Sequence, residues 1–161
     1  MAAEALTPEA VFNQLNDTFS DYELTYDENV PCIIVPANAI RDVAMQLRDA
    51  EEYAFDYLMS LSGVDNGDET LGVVYHLYSF TYKNQLTLKV IVPKEDPKLK
   101  SVARIWLTAD WHEREAYDLV GMTFEGHPDH RRILMPYDWE GHPLRKDYEV
   151  PEFYNGMKVP Y

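Results

Sequence analysis

Apolar side chains recur at helical spacing soon after the N-terminus: Val11, Phe12, Leu15 and Phe19 share one stripe. Thr7 and Pro8 precede it. A hydroxyl cap followed by proline, whose missing N–H is no loss in a first turn, predicts a helix start there. Tyr22 to Tyr26 alternates as a short strand, and Val30 to Val35 reads as a second one bounded by Pro31 and Pro36. Asn38 to Glu52 predicts an amphipathic helix, with Ile40, Val43, Ala44, Leu47 and Ala50 on one stripe. Phe55 to Val64 is an apolar run of strand character. Leu71 to Tyr82 and Leu86 to Val92 are the clearest strands, because Leu86, Leu88, Val90 and Val92 alternate with Thr87, Lys89 and Ile91. Lys83-Asn84-Gln85 between them is short enough for a hairpin.

Asp96-Pro97 repeats the cap-and-proline signal and predicts another helix, with Val102, Ile105, Trp106 and Ala109 on its apolar side. Asp110 to Glu113 has the spacing of a capping box, so a further helix is expected to follow, placing Trp111, Glu115, Leu119 and neighbouring Val120 on one side. Gly121 is its natural stop. Beyond Gly121 neither period persists. Residues 122–161 hold five of the ten prolines and three of the seven glycines. They also hold Phe124, Ile133, Leu134, Met135, Tyr137, Trp139, Leu144, Tyr148, Phe153, Tyr154 and Tyr161, too many apolar side chains for a solvated tail. The expectation is a body over residues 1–121 and an extended arm over 122–161 whose apolar side chains are covered by a partner protein.

Composition narrows the function. The 161 residues carry 28 acidic against 14 basic side chains, a formal net charge of −14. Nucleic acid and bare anionic membrane are poor partners for such a chain. Fifteen of the acids and only two of the bases, Arg41 and Arg48, lie in residues 1–70, which suits a solvated outer face. The single cysteine, Cys32, sits in an apolar run and reads as core, leaving this chain unable to hold an iron–sulfur cluster by itself. No apolar run is long enough to span a bilayer, and the N-terminus lacks the basic and apolar regions of a secretory leader. A soluble protein of a reducing compartment, most simply the cytoplasm, is expected.

Candidate chemistry concentrates in one region. Four of the five histidines, His112, His127, His130 and His142, fall between residues 112 and 142 among many charged residues. His127 with His130, or His112 with Glu115, could suggest a metal site in a stand-alone histidine-based protein, although no HExxH spacing is present. No nucleophile elbow and no glycine-rich phosphate loop occurs. The more economical reading is a polar network. Glu113, Arg114, Glu115 and Asp118 on one helix would hold Arg131, Arg132, Arg145 or Lys146 from the arm in charge-assisted bonds.

The stretch from Glu113 to Tyr148 contains an ERExYDLxG block, then GHPDHRRILMP, then GHPLRKDY. It resembles the signature of the roughly 30-kDa subunit of respiratory complex I, known in bacteria as the C subunit of NADH–quinone oxidoreductase. The likeness extends over about residues 55–161 and departs at His130 and Tyr137, where other residue types are usual. The resemblance implies an α/β fold of the α+β type: a mixed, largely antiparallel sheet packed with helices, followed by an extended C-terminal arm. It implies a non-catalytic subunit without a redox centre, with FMN, iron–sulfur clusters, NADH and quinone handled by other subunits. The implied partners are the 49-kDa-like D subunit, with B- and I-like subunits nearby, on the cytoplasmic side of the bacterial inner membrane. Membrane association would come only through the complex. By this likeness Glu113, Arg114, Glu115, Tyr117, Asp118, His127, Asp129, Arg131, Arg132, Trp139, His142, Arg145, Lys146, Asp147 and Tyr148 are interface and arm-positioning residues rather than catalysts. Related subunits of energy-converting [NiFe] hydrogenases, F420H2 dehydrogenases and photosynthetic ferredoxin–plastoquinone complexes are the alternative membership.

Overall fold

The computed structural model describes residues 6–159; residues 1–5, Pro160 and Tyr161 lie outside the described residues. Helix α1 (Pro8–Thr18) starts as its sequence requires, the Thr7 hydroxyl accepting the Ala10 N–H. It buries Val11 and Leu15. Strands β1 (Thr25–Asp27) and β2 (Cys32–Ile34) pair antiparallel, and helix α2 (Ile40–Asp49) buries Ile40, Val43, Ala44 and Leu47. Strands β3 (Tyr57–Asp65), β4 (Thr70–Ser79) and β5 (Asn84–Pro93) complete a five-stranded sheet of order β1-β2-β5-β4-β3. Only β2 and β5 run parallel within it. The sheet is mixed and largely antiparallel, as expected.

Alternation decides which face is core. Leu71, Val73, Tyr75 and Leu77 on β4 and Leu86, Leu88, Val90 and Val92 on β5 are all buried. On β3 the rhythm breaks. Leu58 pairs with Leu77 and Ser60 with His76, so Met59 is bulged out and both Leu58 and Leu61 turn inward. Two residues further on, Gly63 leaves room for a helix to cross. A Cβ placed there would lie 3.1 Å from the Cβ of Ala116.

That helix is α3 (Ala109–Val120), and here two expectations give way. No helix follows Asp96-Pro97. Residues 98–100 instead form β6 (Lys98–Lys100), parallel to β7 (Thr123–Glu125), and the Thr123 N–H donates to the Pro97 carbonyl. Long-range pairing outcompetes a local start signal. The capping box does not form either. The helix begins at Ala109, which places Glu113 a turn too far along to reach the cap, and Thr108 makes no side-chain cap bond. The buried side of α3 carries Ala109, Glu113, Ala116 and Val120, with Arg114 and Asp118 also buried, whereas Trp111 and Glu115 are exposed and Leu119 half-buried. The β4–β5 turn also differs: Ser79 pairs with Asn84, so Phe80 to Lys83 make the turn and Lys83 takes φ +55°.

Gly121 ends α3 with φ +83° as its sequence requires, and its N–H returns to the carbonyls of Ala116 and Tyr117. Met122 and Phe124 remain buried with the core, so packing of the body runs past Gly121 into β7. From Gly126 the chain is extended and turn-rich until a small hairpin, β8 (Phe153–Tyr154) with β9 (Met157–Lys158). Cys32 is buried, and burial pushes its thiol up. No helix among the described residues is long and apolar enough to cross a membrane.

Candidate functional site

The last turn of a helix leaves carbonyls without partners inside the helix. In α3 the arm supplies them. The Asp118 carbonyl accepts from Arg132 Nη1 at 3.0 Å and from His142 Nδ1 at 3.0 Å. The Leu119 carbonyl accepts from the Leu144 N–H at 2.8 Å, and the Val120 carbonyl from Arg145 Nε at 2.7 Å. Three consecutive carbonyls are thus capped by residues 14 to 25 positions downstream.

The Asp118 side chain anchors the same segment. One carboxylate oxygen accepts three consecutive backbone N–H groups, from Ile133, Leu134 and Met135, at 3.0, 2.7 and 2.9 Å. The other accepts from Arg132 at 2.7 Å. Burial pushes this carboxyl up, yet the backbone donors and Arg132 outweigh it and hold the group below the usual carboxylate value. Arg132 then donates its second amino group to the carbonyls of Trp139 and Gly141, both at 2.9 Å. One guanidinium joins the helix end to two turns of the arm.

A second anchor comes from the sheet. Asp65, at the end of β3, accepts the Lys146 N–H at 2.9 Å, the Gly67 N–H at 2.9 Å and the Lys94 ammonium at 3.2 Å. The Lys146 N–H is the main reason its carboxyl sits at about 2. Asp147, exposed, lies 4.0 Å from the same ammonium.

The remaining residues of the signature divide by what they touch. Glu113 is fully buried and accepts from the Ser101 hydroxyl at 2.6 Å and the Val102 N–H at 2.7 Å, so it holds the link before α3 rather than an arm cation. Burial pushes its carboxyl up to about 7. Arg114, also buried, lies over the Trp111 ring at 4.7 Å and 3.6 Å from Asp129. Arg131 bonds Asp129 within the arm, at 2.8 Å, and donates to the Tyr137 hydroxyl. Glu115 faces solvent. Of the four arm cations expected to pair with acids of α3, only Arg132 does so, with Asp118. Arg145 binds a carbonyl, and Lys146 acts through its backbone.

The histidines serve as hydrogen-bonding posts. His127 Nε2 donates to the Asp110 carbonyl at 3.1 Å, and its Nδ1 accepts the Asp129 N–H at 3.0 Å. His130 Nε2 accepts the Phe124 N–H at 3.1 Å, and its ring stacks on Tyr117 with centroids 4.3 Å apart. Burial pushes both His130 and His142 down, favouring the neutral ring. Among the described residues no group of three or more His, Cys, Asp or Glu has the arrangement to hold a metal ion. Tyr148 accepts from the Trp139 indole at 3.0 Å and packs beside Gly141, where a Cβ would meet its ring at 3.0 Å.

Sequence reasoning did not find Asp65, Lys94, Ser101 and the backbone donors at Ile133 to Met135. Asp65 lies in a stretch that reads as an ordinary turn, and its arm partner is 81 positions away. The arm exposes large apolar side chains, Leu134, Tyr137, Leu144, Val150, Phe153 and Met157, between exposed charged ones such as Asp138, Glu140, Asp147 and Glu149.

This clamp is built almost wholly from the stretch Glu113 to Tyr148, within the match of residues 33–154 to the family model for the respiratory-chain NADH dehydrogenase 30-kDa subunit. The chain belongs to that family. The NADH-quinone oxidoreductase C subunit of Chloroherpeton thalassium is 52% identical over 157 residues, 95% of this chain and 65% of that protein. Its namesake from Chlorobium phaeobacteroides is 44% identical over 157 residues, 94% of this chain and 95% of that protein. This chain spans 50% of the namesake from a Nocardioides species, with 49% identity over 124 residues. Among solved structures, a trypsin-resistant fragment of Nqo5 matches with TM-score 0.58 and 26% identity, over 74% of this chain and 98% of the fragment. A chain of an archaeal membrane-bound sulfane sulfur reductase shares the fold, with TM-score 0.70 at 23% identity, over 88% of this chain and 85% of that one.

Proposed function

We propose that this chain is a non-catalytic positioning subunit in the peripheral part of a proton-translocating NADH:quinone oxidoreductase. Its body serves as a rigid base, and its arm, residues 122–161, docks on the 49-kDa-like D subunit with B- and I-like subunits nearby. The observation that carries this reading is the division of labour within the arm. Arg132, His142, Arg145 and the backbone N–H groups of residues 133–135 and 146 bind inward onto α3 and Asp65, while Leu134, Tyr137, Leu144 and Phe153 are exposed. An arm pinned by hydrogen bonds that exposes large apolar side chains among charged ones suits a protein interface.

In this reading electron transfer, with FMN, iron–sulfur clusters, NADH and quinone, belongs to other subunits. The ring nitrogens of His127, His130 and His142 that bond within the chain support a structural use of the histidines. The complex would place the chain on the cytoplasmic side of the inner membrane.

The test is assembly in a host that carries the complex. Replacing Leu134 and Phe153 together by Asp leaves the side-chain hydrogen bonds of the clamp in place and charges the exposed apolar positions. The doubly substituted chain is expected to fold normally by circular dichroism and to be lost from the purified complex, with NADH:quinone activity falling in proportion. Normal incorporation and activity would overturn the docking role.

A further inference from the structure

α3, the link before it and the arm's first turn meet at one buried cluster. Glu113 is on α3, Ser101 and Val102 are on the link, and His127 belongs to the arm. The His127 side chain is fully buried, with Nε2 3.8 Å from a Glu113 carboxylate oxygen and 3.3 Å from Asp110 Oδ1. Because Nδ1 accepts the Asp129 N–H, the ring's single hydrogen is on Nε2, where three oxygens surround it. Only the Asp110 carbonyl now receives it. Asp110 Oδ1 is buried without a hydrogen-bond partner.

We propose that Glu113 and His127 form a protonation-linked latch that changes how the first turn of the arm is held against α3 when the Glu113 carboxyl gains or loses its proton. With Glu113 neutral, the His127 N–H stays with Asp110, whose carbonyl receives it at 3.1 Å and whose Oδ1 lies 3.3 Å away. With Glu113 anionic, a buried negative charge 3.8 Å away draws that hydrogen toward itself, and the ring turns with the backbone that carries it. The backbone just before His127 is uncrowded: a Cβ at Gly126, where φ is +82°, would meet nothing within 4 Å. Burial at Glu113, which pushes its carboxyl up to about 7, populates both forms near neutral pH.

The other charged and titratable neighbours come from several elements. Tyr75 comes from β4 with its hydroxyl buried and unpartnered. Asp110 is on α3 itself, and the His130 ring lies 5.8 Å from that of His127. Arg114 and Asp129 face each other at 3.6 Å beyond the turn, and Lys100 and Glu125 are register partners on the β6–β7 edge. None of these places a cation against Glu113 to hold it ionised.

The test is a pH series from 5.5 to 8.5 on the full chain labelled with 15N and 13C. The Glu113 carboxyl carbon and the Asp129 amide, which donates to His127, are followed together. The expected result is one shared midpoint near neutrality. In Glu113→Gln the Asp129 shift should vanish, and in His127→Gln Glu113 should still titrate while the Asp129 amide no longer follows it. Ser101→Ala removes a donor to the carboxylate, so it should move both midpoints upward together. An Asp129 shift that survives Glu113→Gln would overturn the latch, as would a Glu113 titration that leaves Asp129 unmoved in the wild type. If Glu113→Gln fails to fold, agreement or disagreement of the two midpoints in the wild type and in Ser101→Ala decides alone.

Discussion

Asp118→Asn isolates the clamp between α3 and the arm. Asn is isosteric, but one of its two terminal atoms is a donor. Turned one way, that donor faces Arg132 Nη1, which now sits 2.7 Å from a carboxylate oxygen. Turned the other way, it faces the three N–H groups of Ile133, Leu134 and Met135. Either choice breaks a buried, charge-assisted contact, and the carboxylate is fully buried. Losing one partner of a buried pair costs roughly 3–5 kcal/mol, and the lower end applies because Asn keeps one acceptor. About 3 kcal/mol corresponds to roughly a 100-fold shift in the opening equilibrium of the arm. The cost falls on the arm, because the core strands do not use Asp118. Backbone hydrogen exchange separates the two. Amides 133–135 are expected to exchange roughly 100-fold faster in the variant, and amides of β4 and β5 to change little. Unchanged protection of amides 133–135, or an equal loss across β4, would refute the clamp as an independent local unit.

Gly121→Ala must place a side chain at φ +83°, with its Cβ 2.6 Å from both Arg145 Nη2 and a His142 ring carbon; urea unfolding is expected to show a loss of about 1–2 kcal/mol from the backbone conformation alone. Asp65 has the depressed carboxyl, at about 2, so its stabilisation is complete above the unfolded value near 3.8 and disappears as pH falls toward 2. Asp65→Asn should therefore flatten the acid limb of the stability curve and loosen the arm near Lys146; an unaltered acid limb would remove Asp65 from the anchor. Glu113 has the opposite sign. Its folded-state carboxyl is raised from 4.5 to about 7, so its contribution is complete below 4.5 and is lost as pH rises through about 7. Glu113→Gln should abolish that decline, worth roughly 3 kcal/mol between pH 4.5 and pH 8, as read by urea midpoints.

Where local chemistry alone decides, the sequence was legible. Thr7-Pro8 opens α1, Gly121 closes α3, and the alternation in Leu86 to Val92 makes β5. It misled where a distant partner decides. Asp96-Pro97 has every local mark of a helix start, but Thr123 and the β7 strand claim that backbone from 26 residues away. Glu113 fits a capping box in spacing, yet the helix begins earlier than its apparent cap and the carboxyl turns to Ser101. The clamp was legible as a region and as a set of residue types. Its pairing was not, because most arm donors bind carbonyls, and backbone acceptors leave no mark in a sequence. Asp118 stands out in hindsight: an acid near a helix C-terminus opposes the dipole and needs a reason to be there.

The three contacts at Leu144, Arg145 and Lys146 also act as a ruler. Successive residues reach the Leu119 carbonyl, the Val120 carbonyl and Asp65, so the spacing between them is set to the single residue. A length change of one residue inside that run would misalign at least one acceptor. The stretch from Pro136 to Asp138 meets no such row of acceptors. A length change there should therefore misalign fewer clamp acceptors than one within residues 144–146, although it would disturb the Arg131–Tyr137 and Asp138–Tyr154 contacts.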